Sequence, residues 1–189
     1  MDQEIILAAC LSGSSGYYNN KLFAITEHFG SLEALYRLWQ KRKTQAIPLS
    51  LIDSINKAWQ RDSQEQLAED LRRYSIKAIL PSSKLFPPLL AGLADKPYVL
   101  YYQGDISLFK DLIPISCVGT RTMTSYGRRA IHSLLRPFTG KNIVVISGLA
   151  LGVDGEVHRA ALELGIKTVA ILGGGLDRYE PLTNANLAK

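Results

Sequence analysis

The stretch of residues 143–158 reads IVVISGLALGVDGEVH, and it decides the fold. A short apolar strand runs into a glycine turn, after which apolar residues recur at helical spacing. The same change from strand to glycine occurs on either side of it, because residues 115–118 run into Gly119 and residues 168–172 run into three consecutive glycines, 173–175. Strands that alternate with helices predict an α/β fold built on a parallel sheet.

Two crossover helices are predicted between these strands, at residues 125–138 and 153–164. The carboxyl ends of parallel strands meet at one edge of the sheet, which is where ligands bind in such folds. Glycine lets backbone N–H groups approach an anion without a Cβ in the way. The three glycine turns therefore predict a phosphate-binding cradle at this edge.

The positive charge of the chain is concentrated near these turns. Of the 189 residues, the first 75 contain nine Lys or Arg and nine Asp or Glu, whereas residues 76–189 contain thirteen and eight, which accounts for the whole net charge of +5. Residues 112–153 contain no acid at all. The basic residues in that stretch are Arg121, Arg128, Arg129, Arg136 and Lys141. A field of one sign suits a polyanion, although for any single arginine a solvated helix face is the plainer explanation.

Composition excludes several other classes of protein. With 47% hydrophobic residues the chain can bury a core, yet its apolar runs are too short to span a membrane and no export signal is visible. Cys10 and Cys117 lie far apart in apolar segments, which predicts neither a disulfide framework nor a metal site. We expect a cytoplasmic protein without a cofactor or a bound metal.

The apolar spacing divides the chain into three parts. Residues 1–74 show helical periodicity and predict a small all-α domain. Residues 75–113 read as a connector, with short strands at 76–80 and 98–102 leading into the sheet. Residues 114–189 form the first part of the parallel sheet, and we expect this domain to be truncated at its C terminus because the sequence stops within a predicted helix at 184–189.

The order of motifs resembles the DprA/Smf family of DNA-processing proteins. The motifs are Gly119-Thr120-Arg121, residues 147–154 with His158, and residues 173–177 with Pro181 and Asn184. Further matches lie at Phe29-Gly30-Ser31, residues 86–90 and residues 97–104. The resemblance spans nearly the whole chain.

This resemblance implies a Rossmann-like domain that binds single-stranded DNA, preceded by a SAM-like or helix-hairpin-helix domain. Such proteins need no catalysis. They assist natural transformation by displacing single-strand-binding protein and loading the RecA recombinase, and we expect a homodimer in the full-length form. Residues 14–18, Ser-Ser-Gly-Tyr-Tyr, lack the glycine hairpin with which a helix-hairpin-helix grips DNA.

The resemblance also assigns the phosphate-binding residues. Arg121 matches the arginine of the family's Gly-Ser-Arg motif, and its planar guanidinium can hold two phosphate oxygens. Gly119 and Thr120 would present backbone N–H groups beside it. The remaining walls of the predicted pocket are Ser147 and Gly148 in the second turn, and Gly173, Gly174 and Gly175 in the third.

Other residues are assigned as contacts or as supports. Tyr126, Arg128 and Asn184 are candidate DNA contacts, and Tyr126 would either stack on a base or pack against the sheet. Asp154 is predicted to cap the second crossover helix. His158, one turn later on the same face, is predicted to hydrogen-bond to Asp154 and brace the loop.

The third turn departs from the family pattern, and other classes of function remain. Glu180 stands where a tyrosine is expected before Pro181, and Leu182 stands where lysine is common, so both lower the positive potential there. A phosphoribohydrolase-like enzyme is the main alternative, but no proline precedes the residue 173–175 glycines and no Thr-x-x-Glu follows them. A dinucleotide-binding domain would need Gly-x-Gly-x-x-Gly, which residues 119–127 do not supply.

Overall fold

The fold is described from a computed structural model, which covers residues 2–15 and 19–188 without the side chains of Ser14 and Ser15. The motif at residues 14–18 therefore lies largely outside the described part of the chain. Two compact units are present, Met1–Gly104 and Asp105–Lys189. The three-part division at residues 74 and 113 stays a prediction.

The first unit is mainly helical. Its helices are α1 (Gln3–Ser15), α2 (Asn19–Phe29), α3 (Leu32–Gln40), α4 (Leu49–Ala58) and α5 (Arg61–Arg73), with a 3-10 turn at Thr44–Ala46. Apolar residues at helical spacing face inward, and Leu35, Ile55 and Trp59 are almost completely buried. The indole N–H of Trp59 donates to the carbonyl oxygen of Leu7 at 2.9 Å, so this buried polar group is satisfied.

A buried carboxylate holds the start of α3. The backbone N–H groups of Leu32 and Glu33 donate to the two carboxylate oxygens of Glu4 at 2.9 and 3.0 Å. The hydroxyl of Tyr98 donates to the same carboxylate at 2.6 Å. Burial, together with this bond to Glu4, raises the pKa of Tyr98. A negative charge at a helix N-terminus is stabilising, so Glu4 fastens α1, α3 and the segment around Tyr98 together.

The strands of the predicted connector pair with each other. Strands β1 (Lys77–Ile79) and β2 (Leu100–Tyr102) form a two-stranded antiparallel sheet in which Ala78 lies opposite Tyr101. The short helix α6 (Pro88–Ala91) lies between them in the sequence. Both strands fall in the first unit, and neither pairs with the strands of the parallel sheet. That residues 75–113 form a connector leading into that sheet stays a prediction.

The second unit confirms the predicted α/β architecture. After the short helix α7 (Leu108–Asp111), its elements are β3 (Ile113–Ser116), α8 (Ser125–Leu135), β4 (Ile143–Ser147), α9 (Val153–Glu163) and β5 (Lys167–Ala170). The strands are parallel in the order β3-β4-β5, with Val145 of β4 opposite Ile115 and Thr168. Val145 is fully buried and belongs to a core that includes Ile131 of α8 and Val157 of α9.

Four elements of the second unit differ from the sequence-based prediction. β3 and β5 end two residues earlier than expected, although the N–H groups of Cys117 and Ile171 still donate to carbonyls of β4 at 2.8 and 2.9 Å. Helix α8 ends at Leu135 and continues as a 3-10 turn, Arg136–Phe138, because Pro137 has no N–H to donate. The final predicted helix is instead a 3-10 turn, Leu182–Asn184, followed by turn residues.

The described residues contain neither a membrane-spanning helix nor a disulfide. Between residues 2 and 188, apart from 16–18, no helix has the length and apolar character needed to cross a membrane. Neither Cys10 nor Cys117 forms a disulfide within the described residues. Burial raises the pKa of Cys10 to about 11, so this thiol stays protonated at neutral pH and behaves as a small apolar side chain.

Candidate nucleic-acid interface

Three loops meet at the carboxyl edge of the parallel sheet, as predicted. We call residues 117–124 the first loop, 148–152 the second loop and 171–181 the third loop. In the first loop, Arg121 is exposed, and in the described part of the chain its guanidinium has no acidic partner. The hydroxyl oxygen of Thr120 accepts the N–H of Thr122 at 3.1 Å, which folds the loop around the arginine. The first loop therefore presents an unpaired cation to solvent.

The first loop is fixed to the start of α9 by close backbone contact. The N–H of Val153 donates to the carbonyl oxygen of Thr120 at 3.0 Å. Gly152 has a φ of +77°, and a Cβ on it would collide with the carbonyl oxygen of Thr120 and lie 2.6 Å from the carbonyl of Arg121. A Cβ on Gly119 would lie 2.7 Å from the side chain of Val153. Gly119 and Gly152 thus allow the two loops to approach each other.

The second loop uses its polar groups internally. The hydroxyl of Ser147 is buried and donates to the carbonyl oxygen of Cys117 at 2.7 Å, which ties the ends of β3 and β4 together. The N–H of Gly148 donates to a carboxylate oxygen of Asp154 at 3.2 Å. Both residues were predicted to bind phosphate, but in this structure their donors are already occupied. We therefore reassign Ser147 and Gly148 to the scaffold that supports the first loop.

Asp154 and His158 brace the second loop differently from the prediction. The N-cap of α9 is Gly152, so Asp154 lies inside the first turn and its carboxylate binds the N–H of Gly148. His158 does not hydrogen-bond to Asp154. Its Nδ1 lies 2.7 Å from the hydroxyl oxygen of Thr168, which itself donates to the carbonyl of Val145 at 3.0 Å. Nδ1 must therefore carry the proton and donate it to Thr168.

The other nitrogen of His158 is buried without a partner. Its Nε2 has no hydrogen bond among the described residues, and the residue is 3% exposed. Burial lowers the pKa of His158, while the charge of Asp154 and the carbonyl of Ser147 act in the opposite direction. Since the lowering prevails, His158 is neutral at pH 7 and positions β5 against α9 without adding to the charge of the edge.

The third loop offers open backbone. Gly173 and Gly174 are exposed, and a Cβ built on either of them meets no atom within 4 Å. Glycine is not needed there for packing within the chain, so the space is free for an approaching anion. Glu180, which was expected to lower the positive potential, forms an exposed ion pair with Arg178 at 3.3 Å. That pair offsets part of its charge.

Asn184 is a support and not a DNA contact. Its side chain is buried and donates from Nδ2 to the carbonyl oxygens of Leu149 and Ala150 at 2.9 and 3.0 Å. Its Oδ1 accepts a hydrogen bond from Arg159 at 2.9 Å. The assignment of Asn184 to DNA is corrected, because every polar atom of the amide is engaged inside the protein. Its partners lie 25 to 35 residues away, so no local sequence signal could have predicted them.

Tyr126 and Arg128 lie on the first turn of α8. Tyr126 is 74% exposed, which leaves its ring free to stack on a base. The Nε of Arg128 lies 3.3 Å from a carboxylate oxygen of Glu156, and the rest of its side chain is largely exposed. Glu156 is buried, and the sequence analysis did not single it out. Tyr126 and Arg128 stay candidate contacts.

The carboxyl edge combines an exposed arginine with open glycine backbone, which are groups that suit an anion. Among the described residues, no group of three or more His, Cys, Asp or Glu side chains could hold a metal ion. A parallel sheet with crossover helices and glycine turns at its carboxyl edge defines a Rossmann-like domain. Residues 77–189 match the family model described as DNA recombination-mediator protein A, and the chain belongs to that family.

Curated relatives and a solved structure agree with this family. The chain is 36% identical over 117 residues to DNA processing protein DprA of Bacillus subtilis, covering 62% of this chain and 39% of that protein. It is 31% identical over 121 residues to DprA of Streptococcus pneumoniae, covering 64% of this chain and 42% of that protein. It thus spans about two fifths of the length that these relatives have.

The crystal structure of Streptococcus pneumoniae DprA shares the fold of this chain. The two superpose with a TM-score of 0.60 at 23% sequence identity, covering 90% of this chain and 62% of that structure. The family predicted from the order of motifs is confirmed.

Proposed function

We propose that this chain binds single-stranded DNA through its phosphate backbone, at the edge formed by the first and third loops. The observation that carries this proposal concerns Arg121. Its side chain is exposed and lacks an acidic partner in the described chain, and its loop is held in place by Val153 and Gly152. A loop backbone held in place before the ligand arrives loses little conformational entropy on binding.

The residues of the proposed site divide into contacts and supports. Arg121 binds phosphate oxygens, with the backbone of Gly119 and Thr120 beside it. Gly173, Gly174 and Gly175 form the opposite wall, where two of the three leave space for a phosphate. Asp154, His158 and Asn184 hold the loops from behind. No acid lies between residues 112 and 153, which favours a ligand with many negative charges.

For the protein as a whole we propose the role that its family membership suggests. It protects incoming single-stranded DNA and helps to load RecA during natural transformation, as a homodimer in its full-length form. The proposed role is binding without catalysis, and the proposed setting is the cytoplasm, where cysteines such as Cys10 and Cys117 stay reduced. These points rest on the family and on the relatives named as DNA processing proteins.

The proposal is tested by fluorescence anisotropy with single-stranded and duplex DNA of equal length. We expect the single strand to bind more tightly, and we expect its association constant to fall with salt, with a logarithmic slope of about −0.7 for each phosphate neutralised. A slope near zero, or equal affinity for both forms, would contradict binding through the backbone of a single strand.

A parallel assay separates this proposal from the enzyme alternative. Nucleoside monophosphates are incubated with the protein, and release of the free base is followed by chromatography. A phosphoribohydrolase would release base with repeated turnover, whereas a DNA-binding protein would leave the nucleotides intact. Turnover that Arg121→Ala abolishes would replace the present proposal with that enzyme activity.

A further inference from the structure

The outer face of α8 forms a groove that the loops at the sheet edge do not include. We call it the α8 groove. It has a volume of about 440 Å³. The residues that line it are Arg128, Arg129, His132, Ser133 and Arg136. Every one of these side chains can donate a hydrogen bond and none is acidic, so the groove is suited to an anion.

A buried carboxylate lies beneath part of this groove. Glu156 of α9 is 5% exposed, and its oxygens lie 3.3 Å from Arg128, 3.3 Å from His132 and 3.4 Å from Arg159. His132 also lies 3.7 Å from the exposed carboxylate of Glu163. These contacts orient Arg128 and His132, and the carboxylate of Glu156 offsets the charge of Arg128. The acidic residues of α9 thus contact only the side chains on the inner side of the groove, Arg128 and His132.

Arg129 and Arg136 are not compensated in this way. Both are exposed, and no acidic group in the described part of the chain forms an ion pair with either. They are seven residues apart, which places them on one face of the helix and separates them by roughly 10 Å along its axis. Two cations spaced along a line fit successive groups of an extended polyanion better than one small anion, which needs donors that converge.

The α8 groove continues from the loop edge. Helix α8 begins at Ser125, four residues after Arg121, and like other crossover helices it returns along the sheet away from the carboxyl edge. Arg129 and Arg136 therefore follow Arg121 in a basic line along the outside of the molecule, and Lys141, also exposed, lies beyond the end of the helix.

We propose that a DNA strand held at Arg121 continues along α8, where its backbone phosphates bind Arg129 and Arg136. This inference rests on the proposed function and extends it by a second group of phosphate contacts. The groove offers mainly arginine donors, which bind backbone phosphate oxygens whatever the base, so binding here adds affinity without sequence preference. It also makes affinity depend on the length of the strand.

The inference is tested with the double variant Arg129→Gln/Arg136→Gln. The matched control is Arg37→Gln/Arg61→Gln, which removes two exposed arginines from the first unit and lowers the net charge of +5 by the same amount. All four side chains are exposed, so circular dichroism melting should show the double variant to be as stable as the wild type. The control also loses the exposed ion pairs of Arg37 with Glu33 and of Arg61 with Glu65, so its melting temperature should fall slightly. Affinity is measured for oligothymidines of about 6 and about 20 nucleotides, which bracket common site sizes.

We expect the short oligonucleotide to bind the wild type and the double variant equally, because it reaches only the loop edge. The long one should bind the double variant at least fivefold more weakly, with a salt slope smaller by about 1.4, which corresponds to two phosphate contacts. The control should keep the affinity and the salt slope of the wild type.

Three results would overturn the inference. One is an unchanged salt slope and length dependence in the double variant. The second is an equal loss for both oligonucleotides, which would place the two arginines at the loop edge. The third is displacement of the long oligonucleotide by polyglutamate in the wild type but not in the double variant, which would indicate an acidic protein as the occupant. If Arg121→Ala loses binding while the double variant keeps it, the proposed function stands and only the extension along α8 fails.

Discussion

The backbone N–H of Val153 donates a 3.0 Å hydrogen bond to the carbonyl oxygen of Thr120, and this bond joins the start of α9 to the residue before Arg121. An N–H group at a helix start is often free to bind an anion. Here it positions a neighbouring loop instead. The start of α9 is therefore not the candidate phosphate contact. That role falls to Arg121, which follows the residue that the helix holds in place.

Arg121→Ala should weaken binding of single-stranded DNA about tenfold or more, because a hydrogen bond to a charged group contributes roughly 1.5–3 kcal/mol. The side chain is exposed, so the free energy of unfolding should stay the same. Fluorescence anisotropy measures the first quantity and urea unfolding the second. Arg37→Ala, which removes an exposed arginine from α3, is the control, and unchanged affinity in Arg121→Ala would exclude Arg121 from the site.

Gly152→Ala should lower stability and DNA affinity together. A Cβ at this left-handed position collides with the carbonyl of Thr120, and we expect a loss of about 2–5 kcal/mol in the free energy of unfolding, with DNA affinity reduced at least tenfold. Gly13→Ala is the control, since that glycine lies within α1 with open space around it and alanine favours a helix. Wild-type affinity in Gly152→Ala would show that Arg121 does not depend on this contact.

Gly174→Ala should separate binding from stability. The added methyl group meets nothing in the protein, so the melting temperature should stay the same or rise slightly as the unfolded chain loses freedom. The same methyl group occupies the space proposed for a phosphate, and we expect affinity to fall about three- to tenfold. Parallel melting and anisotropy measurements test this, and a variant that binds as tightly as the wild type would remove the third loop from the site.

Stability should decline below neutral pH because of His158. Its pKa in the folded chain is lower than the unfolded value of about 6.5, so between these two values the unfolded state binds more protons and stability falls as the pH falls. His158→Gln should therefore show a smaller loss of unfolding free energy between pH 7.5 and pH 5.5 than the wild type. His28→Gln, at an exposed position, should keep the wild-type pH dependence, and an equal loss in all three proteins would exclude His158 as the cause.

Glu4→Gln should destabilise the first unit by about 1–3 kcal/mol, because the amide can no longer accept hydrogen bonds on both of its terminal atoms. One of the N–H groups of Leu32 and Glu33 would then face a donor. Tyr98→Phe removes a single hydrogen bond from the same carboxylate. Urea unfolding of both single variants and the double variant measures their coupling. Additive losses would show that Glu4 and Tyr98 act independently.

The repeated strand-glycine-helix pattern predicted the parallel sheet and both crossover helices correctly. The reason is that runs such as residues 143–147 are apolar enough to be buried on both faces, which is the environment of an interior strand in a parallel sheet covered by helices. The sequence was less informative about the two short strands of the first unit. The apolar residues around β1 and β2 identified the strands, but apolar character alone does not specify the partner with which a strand pairs.

The candidate site was predictable where its chemistry is local and not where it depends on distant contacts. Arg121 was predicted from its positive charge, and the glycines of the third loop were predicted because three of them follow one another in the sequence. Gly119 was found too, but its close approach to Val153 is a contact between separate loops. The roles of Ser147 and Asn184 likewise depend on carbonyl groups about 30 residues away.

The segment that contains the third loop is anchored on both sides. Ile171 donates its N–H to the carbonyl of Ser147 in β4, and Asn184, which follows the loop, donates to the carbonyls of Leu149 and Ala150 in the second loop. The residues in between, Glu180 and Leu182 among them, can change without altering either anchor. The segment between the two anchors could therefore be replaced with the corresponding segments of relatives. Such grafts should alter DNA affinity while the rest of the domain keeps its structure.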